Sequence, residues 1–69
     1  MARVTREEAL RIARTEAERR GWPWTEPVAV RGRLVTFYFM TNSRMRGGNV
    51  NIRVRIRDGS IRGAGYARR

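Results

Sequence analysis

Two different hydrophobic periodicities divide the chain into a helical first part and a strand-forming remainder. In the first part, apolar residues recur at helical spacing on one face, at Ala9, Leu10, Ile12, Ala13 and Ala17. After Pro27 the apolar residues alternate with polar ones, which is the period of a strand with one buried face. The pattern therefore predicts a helix over about residues 5–20 and a sheet over about residues 27–66.

The predicted helix has clear signals at both ends. Thr5 followed by Glu8 is a capping box, in which each side chain accepts a hydrogen bond from the other residue's backbone N–H. Gly21 suits the left-handed conformation that ends a helix. Trp22 and Trp24 follow at once. We expect their indoles to cover the seam between helix and sheet, and a ligand-binding aromatic pair is the alternative.

The first two strands are predicted to form a hairpin around Gly32-Arg33. Glycine at the first central position suits a two-residue type II′ turn. With that turn, Val30 opposes Val35 and Val28 opposes Phe37, so the apolar side chains share one face.

The second half of the chain alternates most strictly, from Val50 to Ile56. Asp58-Gly59 then gives a strong signal for a two-residue hairpin turn. That turn pairs Ile56 with Ile61 and Arg55 with Arg62. Residues 41–48 show no periodicity and contain two glycines, so they are predicted to form a loop.

These elements predict one small α+β domain over residues 1–69, with one N-terminal helix packed on one face of a four-stranded antiparallel meander sheet. A chain of 69 residues buries only a small core, and the absence of cysteine excludes a disulfide that would support it. Oligomerisation would help such a domain.

Charge is the most unusual feature of the composition. All 16 basic residues are arginine, histidine is absent, and six acids leave a net charge of +10. A GC-rich genome accounts for arginine in place of lysine, but not for the surplus itself. Residues 21–69 hold +8 of it, whereas the predicted helix is almost neutral.

Strand alternation assigns much of this surplus to the sheet face that the helix leaves open. The residues predicted to lie on that face and to bind are Arg53, Arg55, Arg57, Arg62, Tyr38 and Tyr66, with Arg44 and Arg46 on the loop beside it. Guanidinium groups match phosphate geometry, and tyrosine rings stack on bases. The pattern favours a polyanion, above all nucleic acid, as the partner, and a merely solvated charged face is the alternative.

The side chains on which catalysis and metal binding usually depend are missing. The chain has no histidine, cysteine or lysine, and most of its carboxylates are explained by helical ion pairs or by the Asp58 turn. We therefore expect no enzymatic activity, no cofactor and no metal site. No apolar run approaches the length of a membrane span or a signal peptide, so the expected location is cytoplasmic.

Two segments resemble a known group of proteins. Val4-Thr-Arg-Glu-Glu-Ala-Leu-Arg-Ile-Ala13 and Gly48-Asn-Val-Asn-Ile-Arg-Val-Arg-Ile-Arg-Asp-Gly-Ser-Ile61 are similar to the helix and final hairpin of PepSY-like domains and small bacterial immunity-type proteins. The resemblance implies a non-catalytic module that binds protein or peptide, often as an inhibitor. The second hypothesis is therefore a protein-interaction module that binds an acidic protein or forms a homo-oligomer.

Overall fold

The computed structural model describes residues 3–67 and has the predicted α+β architecture, one helix against a four-stranded antiparallel sheet. The strands pair in chain order, β1-β2-β3-β4, so the sheet is a meander. The elements are α1 (Arg6–Arg19), β1 (Ala29–Gly32), β2 (Thr36–Met40), β3 (Asn49–Arg55) and β4 (Ile61–Ala67).

Helix α1 begins and ends as the sequence predicts. The Thr5 backbone N–H donates to the Glu8 carboxylate at 2.9 Å, and the Glu8 N–H donates to the Thr5 hydroxyl at 3.2 Å. At the other end, Gly21 has a φ of 72°, and the Trp22 N–H donates to the Ala17 carbonyl at 2.9 Å. These bonds satisfy backbone groups that a helix end otherwise leaves open.

The core lies between α1 and the inner face of the sheet, defined here as the face that α1 covers. The helix contributes only alanines to its fully buried part, so the helix backbone can approach the sheet closely. The sheet contributes the larger side chains. The buried core consists of Ala9, Ala13, Ala17, Phe39, Val50, Ile52 and Val54.

The predicted turn between β1 and β2 is wrong. Val30 opposes Phe39 rather than Val35, and the two residues at the tip are Leu34 and Val35. Gly32 belongs to β1 and lies opposite Phe37, whose ring passes 3.8 Å from the position that a Gly32 Cβ would occupy. Gly32 therefore lies within the strand, where a Cβ would meet the Phe37 ring at ordinary van der Waals distance, and it does not form the turn. The shift is an even number of residues, so the apolar side of each strand stays as predicted.

This shift also corrects the environment of Val35, which the alternation places among the core residues. Val35 lies in the turn and is 64% exposed, whereas the fully buried residue of β2 is Phe39.

Strands β3 and β4 pair as predicted, but the predicted register between them is wrong. Ile61 pairs with Val54 instead of Ile56, and residues 56–59 form a four-residue turn whose last residue, Gly59, has a φ of 77°. Ile56 is held outside the ladder, since its N–H donates to the Val35 carbonyl at 2.9 Å and its carbonyl accepts from the Val4 N–H at 2.9 Å.

The same change separates Arg55 from Arg62, which the sequence pattern pairs. The Arg55 N–H donates to the Ser60 carbonyl at 2.8 Å, and Arg62 sits at a bulge between the pairs Val54–Ile61 and Arg53–Gly63. A bulge inserts one extra residue and so exchanges the two faces of the strand beyond it.

Both tryptophans lie where the sequence predicts, half-buried against the core at the seam between α1 and the sheet. The Arg20 guanidinium lies 5.0 Å from the Trp22 ring centroid, within cation–π distance. Within the described part of the chain, no helix combines the length and apolarity needed to cross a membrane.

Candidate nucleic-acid interface

The face of the sheet opposite α1, called the outer face below, carries a row of residues that crosses all four strands. Arg31 on β1 pairs with Tyr38 on β2, Tyr38 pairs with Arg53 on β3, and Arg53 pairs with Gly63 on β4. Residues directly opposite on one face have Cβ atoms about 5 Å apart. The Tyr38 ring therefore lies between two guanidinium-bearing positions, and it is half-buried rather than covered.

Arg53 extends from β3 across β4. Its Nη2 atom lies 2.7 Å, and its Nε atom 2.9 Å, from the position that a Cβ on Gly63 would occupy. Glycine at this position therefore lets the guanidinium group rest directly over the β4 backbone. A shallow cleft of about 350 Å³ lies beside the Arg53 side chain. It is lined by Tyr38, Asn51, Arg53 and the β4 residues Gly63, Ala64 and Gly65.

A second group of arginines lies at the end of the sheet where the two hairpin turns meet. Arg55, Arg57 and Arg62 line one cleft of about 340 Å³ together with Val35 and Thr36. An Arg55 Nη1 atom lies 3.8 Å from an Asp58 carboxylate oxygen, so one of these charges is partly balanced. The structure thus brings these three predicted residues together, although not through the pairing that the sequence suggests.

Arg44 and Arg46 lie at the opposite end of the sheet. Both are exposed on the loop of residues 41–48, which connects the far ends of β2 and β3. The seven residues of β3 separate this loop from the turn-end cleft, a distance of about 20 Å at a strand rise of about 3.3 Å per residue. The predicted binding residues therefore extend along the sheet instead of forming one compact patch.

This loop is held in place by one buried amide. The Asn49 side-chain nitrogen donates to the Thr41 carbonyl at 2.8 Å and to the Asn42 carbonyl at 2.9 Å, and its oxygen accepts from the Gly47 N–H at 3.0 Å. The alternation places Asn49 on the outer face, but its side chain is directed into the loop, and the residue is only 8% exposed. Arg44 and Arg46 are consequently presented by a structured segment.

Tyr66 does not belong to the outer face, which corrects its predicted role in stacking. The longer turn moves the predicted register by two residues and the bulge at Arg62 moves it back by one, so Tyr66 pairs with Val50 instead of Asn51. Its ring packs at 6.1 Å, centroid to centroid, from Trp22 on the inner face. Tyr66 is therefore part of the packing around the core.

Sequence reasoning missed two arginines of β1 and its turn. Arg31 and Arg33 line a cleft of about 440 Å³ beside Tyr38, together with Ala29 and Met40. The alternation of Val28 and Val30 with Arg31 indicates a strand whose arginine lies on the face opposite the valines. The assignment of Gly32-Arg33 to a two-residue turn conceals this alternation, because it ends the strand at Arg31.

The acidic residues of the protein lie mostly away from the outer face. None of the four described strands contains an aspartate or glutamate, and four of the six acids belong to α1. Hydrogen bonds from Arg19 and then Arg20 lower the pKa of the Glu16 carboxyl from 4.5 to about 2. Asp58, at the turn, has its pKa lowered chiefly by the Ser60 backbone N–H. The α1 layer thus balances its own charges, whereas the outer face does not.

Among residues 3–67, no three carboxylate side chains come together as metal ligands would. Comparisons with known proteins give no matching family model, no matching curated protein and no matching solved structure. The resemblance to PepSY-like domains therefore stays a prediction.

Proposed function

We propose that this protein is a non-catalytic module that binds single-stranded nucleic acid along the outer face of its sheet. The observation that carries the proposal is the row in which Tyr38 lies between Arg31 and Arg53 on strands that contain no acid. An open sheet face of this kind offers guanidinium groups to the phosphates and an aromatic ring to a base.

The charge distribution supports a polyanion over a neutral partner. Five of the outer-face and turn-end arginines, Arg31, Arg33, Arg53, Arg57 and Arg62, are exposed, and Arg55 is half-buried beside Asp58. Six cationic side chains on one side of a small domain repel one another, and this self-repulsion disfavours the compact state. A bound phosphate backbone would relieve this repulsion.

The length of the surface supports a strand that runs along β3. About 20 Å separates the loop with Arg44 and Arg46 from the turn-end cleft with Arg55 and Arg62. At the duplex spacing of about 3.4 Å per nucleotide, this distance corresponds to at most roughly six nucleotides, and an extended strand would place fewer there. A nucleic-acid partner also agrees with the cytoplasmic location expected from the sequence.

The test is a fluorescence-anisotropy titration of a labelled single-stranded oligonucleotide at several salt concentrations. Four guanidinium contacts to phosphate would give a slope of about −2.8 in log K against log salt, since each contact to a single strand contributes about −0.7. Threonine keeps strand propensity, so it replaces Arg53 and Arg55 in the test variant. We expect the slope to become less negative by about 1.4 and the affinity to fall about tenfold or more.

A matched control removes the same charge from the helix. The Arg11→Ala/Arg14→Ala variant changes two exposed arginines of α1 and is expected to bind within about twofold of the wild type, because only long-range attraction is lost. Equal losses in the two variants would show that net charge alone drives binding. Absence of binding to DNA and RNA at low salt would refute the proposal and favour an acidic protein as the partner.

A further inference from the structure

The tip of the β1–β2 hairpin exposes two large aliphatic side chains. Leu34 is 92% exposed and Val35 is 64% exposed, the two highest values among the large hydrophobic residues of the described chain. The buried core of this protein is small, yet these two aliphatic side chains do not contribute to it. Exposed aliphatic side chains that lie together commonly mark a contact surface.

Local turn chemistry does not explain these residues. Neither Leu34 nor Val35 has a positive φ, so the backbone of this turn accepts most residue types and does not call for aliphatic ones. The other turn at this end follows the usual chemistry, with Asp58 accepting from the Ser60 N–H at 2.9 Å and Gly59 in the left-handed region. Backbone geometry therefore leaves the choice of two large aliphatic side chains at the first turn unexplained, whereas polar turn residues occupy the second.

Cationic side chains border the aliphatic tip. Leu34 and Val35 line a cleft of about 320 Å³ together with Ile56, which is half-buried, and the two exposed arginines Arg3 and Arg57. The surface is thus an apolar projection with guanidinium groups beside it. This is the arrangement by which proteins without a membrane span attach to an anionic bilayer, with aliphatic groups entering the acyl boundary and cations at the headgroups.

Other occupants fit this surface less well. A second copy of the chain related by a twofold axis would bring the same arginines, Arg3 and Arg57, towards each other. Bases are held by aromatic rings and hydrogen bonds, which Leu34 and Val35 do not offer. The charge complementarity therefore favours phospholipid.

We propose that the β1–β2 tip, formed by Leu34 and Val35 with Arg3 and Arg57 beside it, docks on an anionic membrane surface. Val35 and Arg57 also line the turn-end cleft, so the two surfaces share a border, but the proposal requires no nucleic-acid ligand. It requires both components, because two aliphatic side chains or two charges alone bind a bilayer weakly.

The test is co-sedimentation of the full chain with vesicles of phosphatidylcholine alone and of phosphatidylcholine containing about 30% phosphatidylglycerol. We expect binding to the anionic vesicles and little to the neutral ones. The Leu34→Ser variant is expected to lower the partition coefficient about tenfold, because burial of the leucine side chain is lost. Serine suits a turn and the side chain is almost fully exposed, so the fold is retained.

The Met45→Ser variant is the matched control, since Met45 is 46% exposed on the loop at the opposite end of the sheet. It should bind anionic vesicles as the wild type does, and both variants should bind the oligonucleotide equally. The proposal is overturned if the wild type does not sediment with anionic vesicles or if Leu34→Ser sediments equally well. It is also overturned if Leu34→Ser instead loses oligonucleotide affinity, or if it abolishes a dimer seen by light scattering.

Discussion

Asn49 and Asn51 stand two positions apart on β3, and strand alternation gives them the same environment. The structure separates them: Asn51 lines the outer face, whereas Asn49 is buried and holds the loop of residues 41–48. Alternation could not distinguish the two residues, because the partners of Asn49 are backbone groups of a loop whose path no periodicity specifies.

We expect Asn49→Ala to lower the free energy of unfolding by about 2 kcal/mol, because buried carbonyls, including that of Thr41, lose their donor. Urea denaturation followed by circular dichroism measures the change. Asn51→Ala is the control and should change stability by less than about 0.5 kcal/mol. A smaller effect for Asn49→Ala than for Asn51→Ala would contradict the role assigned to this amide.

Tyr66 illustrates the limit of residue-level inference on β4. The predicted hairpin register places Tyr66 on the outer face, but one inserted residue at Arg62 moves Tyr66 to the opposite face. A bulge depends on hydrogen bonds made elsewhere, such as that from the Arg55 N–H to the Ser60 carbonyl. Such bonds leave no mark in the alternation of apolar and polar residues, so this candidate stacking residue could not be corrected from the sequence.

At the scale of elements, local signals were reliable for the helix and unreliable for the turns. The capping box of Thr5 and Glu8 forms as predicted because both partners lie within one helical turn. The two turns were misplaced because glycine has several uses. Gly32 is a strand residue opposite Phe37, and Gly59 ends a four-residue turn instead of occupying a two-residue one.

The β3–β4 turn packs against the start of α1, and Gly59 is the point of contact. A Cβ at this position would lie 2.9 Å from Ile12 Cδ1 and 3.2 Å from Val4 Cγ1, and the φ of 77° disfavours any side chain. We expect Gly59→Ala to destabilise the protein by about 2–3 kcal/mol, as measured by chemical denaturation. Gly65→Ala is the control, because open space surrounds its Cβ position. Equal stability of the two variants would show that this contact is unimportant.

Helix α1 should also make stability depend on pH in the acidic range. Glu16 accepts hydrogen bonds from Arg19 and Arg20, which hold its pKa at about 2, against 4.5 in an unperturbed carboxyl. The unfolded state therefore binds a proton before the folded state does, so this contribution is present above about pH 4.5 and is lost as the pH falls towards 2.

Thermal denaturation between pH 6 and pH 2 tests this contribution, which is on the order of 1 kcal/mol because the ion pair lies near the surface. Glu16→Gln should lower stability at pH 6 and flatten the dependence on pH. The dependence should not vanish, since the pKa values of Glu8 and Asp58 are lowered as well. An unchanged pH profile in Glu16→Gln would refute the assignment.

At the scale of the whole molecule, the fold separates a charge-balanced layer from a cationic one. Helix α1 carries four of the six acids beside its arginines, while the four strands carry none. This separation was predictable, because it follows from where the acids lie along the chain. The positions of individual arginines on the outer face were only partly predictable. Arg53 and Tyr38 were assigned correctly, Arg31 and Arg33 were missed, and Arg44 and Arg46 proved to lie at the far end.

The central claim, that the outer face is the nucleic-acid surface, is tested most directly by NMR of the arginine side-chain Nε–Hε groups during titration with a single-stranded oligonucleotide. The account predicts that the signals of Arg31, Arg53 and Arg55 shift at low stoichiometry, whereas those of Arg11 and Arg14 on α1 stay in place. Shifts confined to the helix arginines, or equal shifts on both layers, would contradict it.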